Sequence, residues 1–407
     1  MKTHPIRIGI ISGAVLCIIA LTVYILSFSF AENEKVVKQD GVKPVSVNFS
    51  SDYNENKNAV HNLLVIYKDG KFALADNSGN PVCEYKYDMI SPASNGLYYI
   101  RNNKTNGFIN EALEEVFMTE EVIGTNISED FVVYTRNGKS GFINIKTGEK
   151  IEAVYEAVYD FSEGLAAVQL DGKIGFVNTK GHLVIPNDYH ANALYHFNSG
   201  LCNAIVTKED GSIDSFYIDV SGNKIVDGNF EYGMQFYSDV AFVKTSENKW
   251  HLINKNGDRL NDHEYGPYEN GMPTKFNEGF ATVLYDGKYG IIAENGKFVI
   301  SPAYEWLSSV SEGVAVYKSG DKYGAIRSNG SVLINAVYDG LTNFTNGLSV
   351  FVKDGKNGVI NKNGIIICNA EYVKCEILDN GNIKAYVDEN KYIYKDKYGN
   401  TIWQAEN

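Results

Sequence analysis

The chain has 407 residues, enough for two or three ordinary domains. It has 37 Lys and Arg residues and 50 acidic residues, which gives a net charge of −13. The resulting negative electrostatic field opposes the binding of nucleic acid or of an anionic membrane surface. With 28 Tyr, 20 Phe and 38 Gly but only 8 Pro, the composition favours strands and tight turns and predicts an all-β protein. Five cysteines are too few for a scaffold held together by disulfides.

The first predicted element is an apolar segment near the N-terminus. Ile8 to Phe30 contains no charged residue, and two basic residues precede it. At 1.5 Å per residue such a helix spans the roughly 30 Å core of a bilayer, and the basic side lies in the cytoplasm. The sequence therefore predicts a cytoplasmic N-terminus over 1–7, one transmembrane helix over 8–30, and a protein in the cell membrane with the rest of the chain outside. A signal peptide cleaved near Ala31, which would give a secreted protein, is the alternative.

The next stretch, residues 31–59, is rich in Asn, Lys, Glu, Ser and Val and shows neither helical nor strand periodicity. We interpret it as a polar linker that tethers the remainder of the chain.

From residue 60 onward, a pattern recurs about every 34 residues. Clear copies begin at Phe276, Val310 and Phe344. A period of this size indicates small units that stack on their neighbours to bury their apolar faces. Each copy alternates turn signals with short apolar runs, so we expect about ten short antiparallel meanders of at least three strands. The β-repeat domain, 60–407, is then either a propeller-like ring or a curved β-solenoid.

Two turn signals mark the copies. The first is Asp-Gly or Asn-Gly followed by Lys, which suits a two-residue hairpin because both residues can adopt positive φ. It occurs at Asp69-Gly70, Asn137-Gly138, Asp171-Gly172, Asp286-Gly287 and Asp354-Gly355. The second is an Asn or Asp with Gly three or four residues later, typical of a type I turn closed by a left-handed Gly, as at Asp76/Gly79 and Asn361/Gly364. One copy has Asn110-Glu111-Ala112-Leu113 in place of the second signal.

A third signal is a Lys-aromatic-Gly step, at Lys288-Tyr289-Gly290 and Lys322-Tyr323-Gly324. An acidic-Gly-apolar step such as Glu278-Gly279-Phe280 precedes it by some ten residues, and a Tyr-Asp or lone Tyr lies between copies, at Tyr159-Asp160, Tyr304 and Tyr338-Asp339. We interpret the Gly as a packing position that a neighbouring ring or strand covers, with a ligand platform as the alternative.

These steps together resemble the WG (KWG) repeat-containing protein family, in which Trp occupies the aromatic position. The resemblance implies an array of β-strand repeats, often secreted or at the cell surface, with no general catalytic role. The chain departs from the family pattern where Ser140, Ile174 and Asn357 replace the aromatic residue and where His251 follows Trp250.

The residues that could carry chemistry have simpler interpretations. Acids recur before Gly, at Glu163, Glu278 and Glu312, whereas a catalytic pair should be singular, so we expect turns. Asp76 and Asp219 begin calcium-like loops that lack the downstream acidic ligands. The histidines of the middle third, which include no i, i+2 pair, are His182, His190, His196, His251 and His263. We therefore predict no catalytic residue, no metal site and no cofactor.

Cys368 and Cys375 are close enough in sequence to pair across a turn, or they are buried free thiols.

The sequence predicts a non-enzymatic, membrane-anchored interaction module that binds an unidentified protein or glycan and touches the membrane only through its N-terminal helix. A carbohydrate-active enzyme on a propeller-like scaffold and a purely structural surface spacer are the alternatives. Ligand contacts are expected where the copies differ most, over Phe197 to Lys275, including the loop from Glu209 to Ser212.

Overall fold

The structure, a computed structural model, describes residues 61–404 apart from 192–194, 246–247, 269–270 and 390. The predicted cytoplasmic stretch, transmembrane segment and linker, residues 1–59, lie outside the described part. Within the described part, no helix is both long and apolar enough to cross a membrane.

The described residues form ten small antiparallel sheets that follow one another along the chain. The first sheet has two strands, and the other nine have three or four. The strands of sheets one to five are β1 Leu64–Lys68 and β2 Lys71–Ala75; β3 Met89–Pro92, β4 Tyr98–Asn102, β5 Thr105–Ile109 and β6 Glu115–Thr119; β7 Val122–Ser128, β8 Phe131–Arg136, β9 Lys139–Asn144 and β10 Lys150–Tyr155; β11 Ala157–Val158, β12 Leu165–Leu170, β13 Lys173–Asn178 and β14 Leu183–His190; β15 Leu201–Thr207, β16 Ile213–Asp219 and β17 Lys224–Phe230.

Sheets six to ten repeat the same meander. Their strands are β18 Tyr232–Gly233, β19 Val240–Lys244 and β20 Trp250–Asn254; β21 Phe280–Tyr285, β22 Lys288–Ala293 and β23 Phe298–Tyr304; β24 Trp306–Leu307, β25 Val314–Ser319, β26 Lys322–Arg327 and β27 Val332–Tyr338; β28 Gly340–Leu341, β29 Leu348–Lys353, β30 Lys356–Asn361 and β31 Ile366–Tyr372; β32 Lys374–Ile377, β33 Ile383–Tyr386, β34 Tyr392–Lys395 and β35 Thr401–Gln404. The all-β expectation is confirmed, and nine of the ten sheets have the expected three or more strands.

The hairpin turns have the backbone that the sequence predicts. Asp286 and Gly287 adopt φ values of 49° and 75°, and the other four Asp-Gly or Asn-Gly pairs have the same signs. The second turns close on a left-handed Gly, as at Gly364 with φ 77°. In the copy without that Gly, Leu113 takes the left-handed conformation with φ 65°.

Each sheet is covered on both faces, which explains why its central strands are continuously apolar. In β12, Ala166 and Val168 pack towards the third sheet, in a cluster with Phe142. Leu165 and Ala167 pack towards the fifth sheet. The core is therefore a series of apolar layers between successive sheets.

The last sheet closes on the first. Leu64 and Ile66 of β1 are fully buried in a cluster that includes Tyr394 of β34, and the Tyr394 hydroxyl donates to the Val65 carbonyl at 2.8 Å. The Asn382 amide donates to the Asn77 side chain, also at 2.8 Å. The array is thus a β-propeller ring, and the open solenoid is wrong.

An ion pair also crosses this closure. His61 Nδ1 lies 2.8 Å from Asp379 Oδ2, and His61 Nε2 lies 2.8 Å from the Leu97 carbonyl of the second sheet. Burial lowers the pKa of His61, but its hydrogen bonds to Asp379 and Leu97 outweigh that effect and raise the pKa above its ordinary value. One imidazole therefore joins three sheets across the point of closure.

The Gly of the Lys-aromatic-Gly step lies against strand backbone. A Cβ on Gly290 would lie 2.8 Å from the Ile300 carbonyl oxygen, and one on Gly324 would lie 2.5 Å from that of Ile334. At these points the next strand shifts register, so three of its residues pass opposite the single Gly. Neighbouring strand backbone, rather than an aromatic ring, fills the space at both positions.

The two Tyr-Asp steps are not equivalent, contrary to the sequence pattern. Tyr338 ends β27, the last strand of the eighth sheet, whereas Tyr159 follows the first short strand of the fourth. Asp339 and Asp160 accordingly have different neighbours.

Cys368 and Cys375 are both free and buried. Burial raises the pKa of Cys368 to about 11 and that of Cys375 to about 12. They are core residues of the ninth and tenth sheets.

Candidate functional site

The turns divide each sheet into two ends. Strand β12 begins at the turn Glu163-Gly164 and ends at the turn Asp171-Gly172, and its counterparts do the same. We call the two sides of the ring formed by these ends the Glu-Gly face and the Asp-Gly face.

Carboxylates on the Glu-Gly face bind the turn of the following sheet. Glu129 accepts from the Gly164 N–H at 3.0 Å, and Glu163 accepts from the Gly200 N–H, also at 3.0 Å. Glu278 accepts from the N–H groups of Glu312 and Gly313 at 2.6 and 2.8 Å. Glu312 in turn accepts from the Gly347 N–H at 2.9 Å. The recurring acids are thus links between sheets.

A second set of links runs beside the first. The Ser128 hydroxyl donates to the Phe161 carbonyl at 2.6 Å, and the Ser162 hydroxyl donates to the Phe197 carbonyl at the same distance. Each link fixes the backbone of the following sheet just before its turn.

The carboxylate links stop in the middle of the array. The fifth and sixth sheets have Ser199 and Ser238 where the third, fourth, seventh and eighth sheets have Glu. The Ser199 hydroxyl bonds within its own turn, to Asn198 at 3.4 Å. The sixth and seventh sheets are joined instead by Tyr237, whose ring stacks on that of Phe276 at 5.9 Å.

The Asp-Gly face carries its own acidic links. Asp88 accepts from the Asn103 N–H at 2.6 Å, Glu156 from the Gly172 N–H at 3.0 Å, and Asp339 from the Asp354 N–H at 2.8 Å. Asp339 also forms an ion pair with Lys322. Each of these acids directly precedes the first strand of a sheet and binds the hairpin turn of that sheet.

One position ahead of the turn on the Glu-Gly face has a different side chain in most copies, while the residues after it keep their character. In seven successive copies it is followed by a buried apolar residue, then by a short polar residue or Tyr237, and then by the turn. We call its side chains the collar, which consists of Asn126, Asp160, His196, Gln235, Lys275, Ser309 and Asn343.

Collar side chains of neighbouring sheets contact one another. The Asn126 amide donates to Asp160 Oδ2 at 2.6 Å, and the Asn343 amide donates to the Ser309 hydroxyl at 3.2 Å. Because equivalent residues of successive sheets come closest near the axis of a ring, the collar lies towards its inside. Sequence reasoning missed the collar, although its signal, one variable residue in a constant frame, is present in the sequence.

The environment of the collar shifts its titrating groups. Burial raises the pKa of Asp160, against the hydrogen bond from Asn126. Burial, and then the positive charge of Lys275, lowers the pKa of His196 to about 4, so this imidazole is neutral at neutral pH. The collar therefore offers a cation, a carboxyl group and several neutral donors and acceptors.

The other sequence candidates lie apart. Among the described residues, no three His, Cys, Asp or Glu side chains come together to hold a metal ion. His251 is buried beside Thr245, and His263 packs against Tyr285. The absence of a metal or catalytic site stays a prediction.

The calcium-like loops are turns. Asp219 Oδ1 accepts from the N–H groups of Ser221 and Asn223 at 2.9 and 2.8 Å, and Asp76 has the same arrangement. The loop from Glu209 to Ser212 is exposed and lies on the Asp-Gly face, opposite the collar.

A family model described as WG containing repeat matches five segments of the sequence. The matches cover residues 72–105, 141–173, 216–250, 289–323 and 323–356. These five segments of the chain are WG repeats. No curated protein matches its sequence significantly.

Solved structures resemble the WG-repeat ring in fold. A structure titled "Crystal structure of the eukaryotic initiation factor" has a TM-score of 0.53 and 10% identity, covering 82% of this chain and 98% of that one. BamB from Moraxella catarrhalis has a TM-score of 0.32 and 14% identity, covering 80% of this chain and 91% of its own. At 10% identity the likeness to the first of these structures concerns the fold alone.

The WG-repeat matches are offset from the sheets. The match 289–323 begins in β22, the strand of the Lys-Tyr-Gly step, and ends at the start of β26 in the next sheet. One sequence repeat therefore contains the end of one sheet, a collar residue and the beginning of the next.

Proposed function

We propose that this WG-repeat propeller is a non-enzymatic interaction module that binds a protein or glycan through the collar on its Glu-Gly face. The observation that supports the proposal is a varied side chain on a backbone held by repeated inter-sheet hydrogen bonds. Preorganised positions of this kind lose little entropy on binding, and propeller and other repeat arrays offer extended surfaces to their partners.

The collar chemistry favours a polar partner. Asn126 and Asn343 offer amides, Ser309 a hydroxyl, and Lys275 a positive charge on an exposed residue. Such mixed donors and acceptors suit sugar hydroxyls or the polar side chains of a protein.

The binding proposal is tested with envelope extract and cell-wall glycans on the immobilised protein. We expect Lys275→Ala and Asn343→Ala each to weaken capture of the bound component by about tenfold, about 1.4 kcal/mol. Deleting Glu209 to Ser212 on the opposite face is the matched control and should leave capture unchanged. Loss of binding with the loop deletion alone would move the interface to the Asp-Gly face. Glycan hydrolysis lost on replacing a single carboxylate would contradict the non-enzymatic proposal.

We also propose that residues 8–30 anchor the propeller in the cell membrane with its repeats outside. The supporting observations are the uncharged run and the basic residues before it. Fractionation should place the full chain in the membrane pellet, and protease added to intact cells should remove the repeats. Soluble protein in the medium with a new N-terminus near Ala31 would show secretion instead.

A further inference from the structure

The turn before β21 in the seventh sheet has the backbone of a carboxylate-binding turn. Glu278 and Gly279 have φ values of 53° and 81°, and their counterparts in the eighth sheet, Glu312 and Gly313, have 52° and 73°. In the eighth sheet, the two N–H groups bind the two oxygens of the Glu278 carboxylate. The same residue pair in the same conformation should bind the same chemical group.

The preceding sheet does not supply that group to the seventh turn. In the sixth sheet, Ser238 stands where Glu278 stands in the seventh. Its side chain is exposed and too short to reach the next turn as a Glu does. Among the described residues, no acceptor receives a hydrogen bond from the N–H of Glu278 or of Gly279. Both N–H groups therefore lie on the Glu-Gly face without an acceptor in the described chain.

One nearby charge acts against an anion here. In the ninth sheet, Lys362 Nζ lies 2.8 Å from Glu312 Oε2 and helps to hold that carboxylate. The matching position of the seventh sheet is Glu294, whose Oε1 would lie 3.5 Å from a Cβ on Gly279. The N–H pair favours a carboxylate, and Glu294 limits how strongly it is held.

We propose that the N–H groups of Glu278 and Gly279 bind a carboxylate supplied by a protein partner, from an acidic side chain or a C-terminus. Successive backbone N–H groups at positive φ form a concave anion site, and charge-assisted hydrogen bonds to it are stronger than neutral ones. This inference deepens the proposed function, because it names the chemistry of a partner on the Glu-Gly face.

The experiment is an amide NMR titration of the ¹⁵N-labelled full chain with sodium acetate, with sodium chloride at the same ionic strength as the salt control. We expect saturable downfield shifts of the Glu278 and Gly279 amide protons. The Gly313 amide, which already binds Glu278, is the internal control and should not move. Equal shifts at Gly313, or none at Glu278 and Gly279, would overturn the proposal.

Two variants sharpen the test. Ser238→Glu should supply the missing carboxylate, so the Glu278 and Gly279 amide protons should be shifted before acetate is added and should no longer respond to it. Glu294→Gln should tighten acetate binding several-fold. A Ser238→Glu protein that keeps the full acetate response would refute the assignment. The titration uses acetate and not the partner, so the two proposals can fail separately. A titration without shifts would leave the collar proposal standing. Failure to capture a partner would leave the result of the titration standing.

Discussion

Replacing Gly324 by valine should lower the free energy of unfolding by about 3 kcal/mol or more, the upper end of what overpacking costs. A Cβ there would lie 2.5 Å from the Ile334 carbonyl oxygen and 2.7 Å from the Ala336 N atom. These backbone atoms of β27 cannot rotate away as a side chain would, so β27 must separate from β26. Thermal unfolding followed by circular dichroism measures the effect.

The matched control for this substitution is Gly330→Ala in the turn of the same sheet. Gly330 has φ 85° and nothing within 4 Å of its Cβ position, so the change adds conformational strain without a clash. It should cost about 1 to 2 kcal/mol. Equal melting temperatures for the two variants would mean that the Gly324 contact does not matter for stability.

Ending the chain after Val373 should abolish cooperative folding. This truncation removes the tenth sheet and so uncovers two apolar faces, one with Leu64 and Ile66 on the first sheet and one with Val350 and Val359 on the ninth. Natural domains are stable by only about 5 to 15 kcal/mol, less than two lost interfaces of this kind are worth. Size-exclusion chromatography should show aggregation, and the melting transition should disappear.

Tyr394→Phe is the control for the truncation. It removes only the hydrogen bond to the Val65 carbonyl and should cost about 1 kcal/mol with the ring intact. A truncated protein that still melts in one sharp transition near the wild-type temperature would show that the sheets are stable in an open array.

The local structure could be predicted from the sequence because it depends on neighbouring residues. Asp-Gly pairs fix a two-residue hairpin through positive φ, and Asp286-Gly287 adopts it. The choice between ring and solenoid could not be predicted, because both have the same period. It depends on contacts such as His61 with Asp379, which are 318 residues apart.

The inter-sheet links show a second limit. Glu163-Gly164 could be recognised as a turn, but its sequence does not say where the Glu163 side chain points, and the bond to Gly200 depends on how the next sheet is placed. The Tyr-Asp steps misled for a related reason, since Tyr159 and Tyr338 lie in different parts of the sheet.

The collar could have been predicted from the sequence, because its side chains vary at one fixed position of the repeat. The sequence prediction instead placed the ligand contacts where the loops vary. Loop length draws attention to Glu209 to Ser212, whereas the collar varies by one side chain per copy without a change in spacing around it. Asp160 and Lys275 stand out only after the copies are aligned on the apolar residue that follows.

The offset between sequence repeat and sheet bears on how such a chain can grow. A duplicated unit that starts at Tyr289 and ends just before Tyr323 would bring the final strands of one sheet and the opening strands of the next. The opening strands in the inserted unit would pair with the final strands that follow it, and its final strands would pair with the opening strands that precede it. No strand would be left unpaired. A tandem duplication could thus enlarge the ring by one complete blade, with the wedge angle between blades setting the limit.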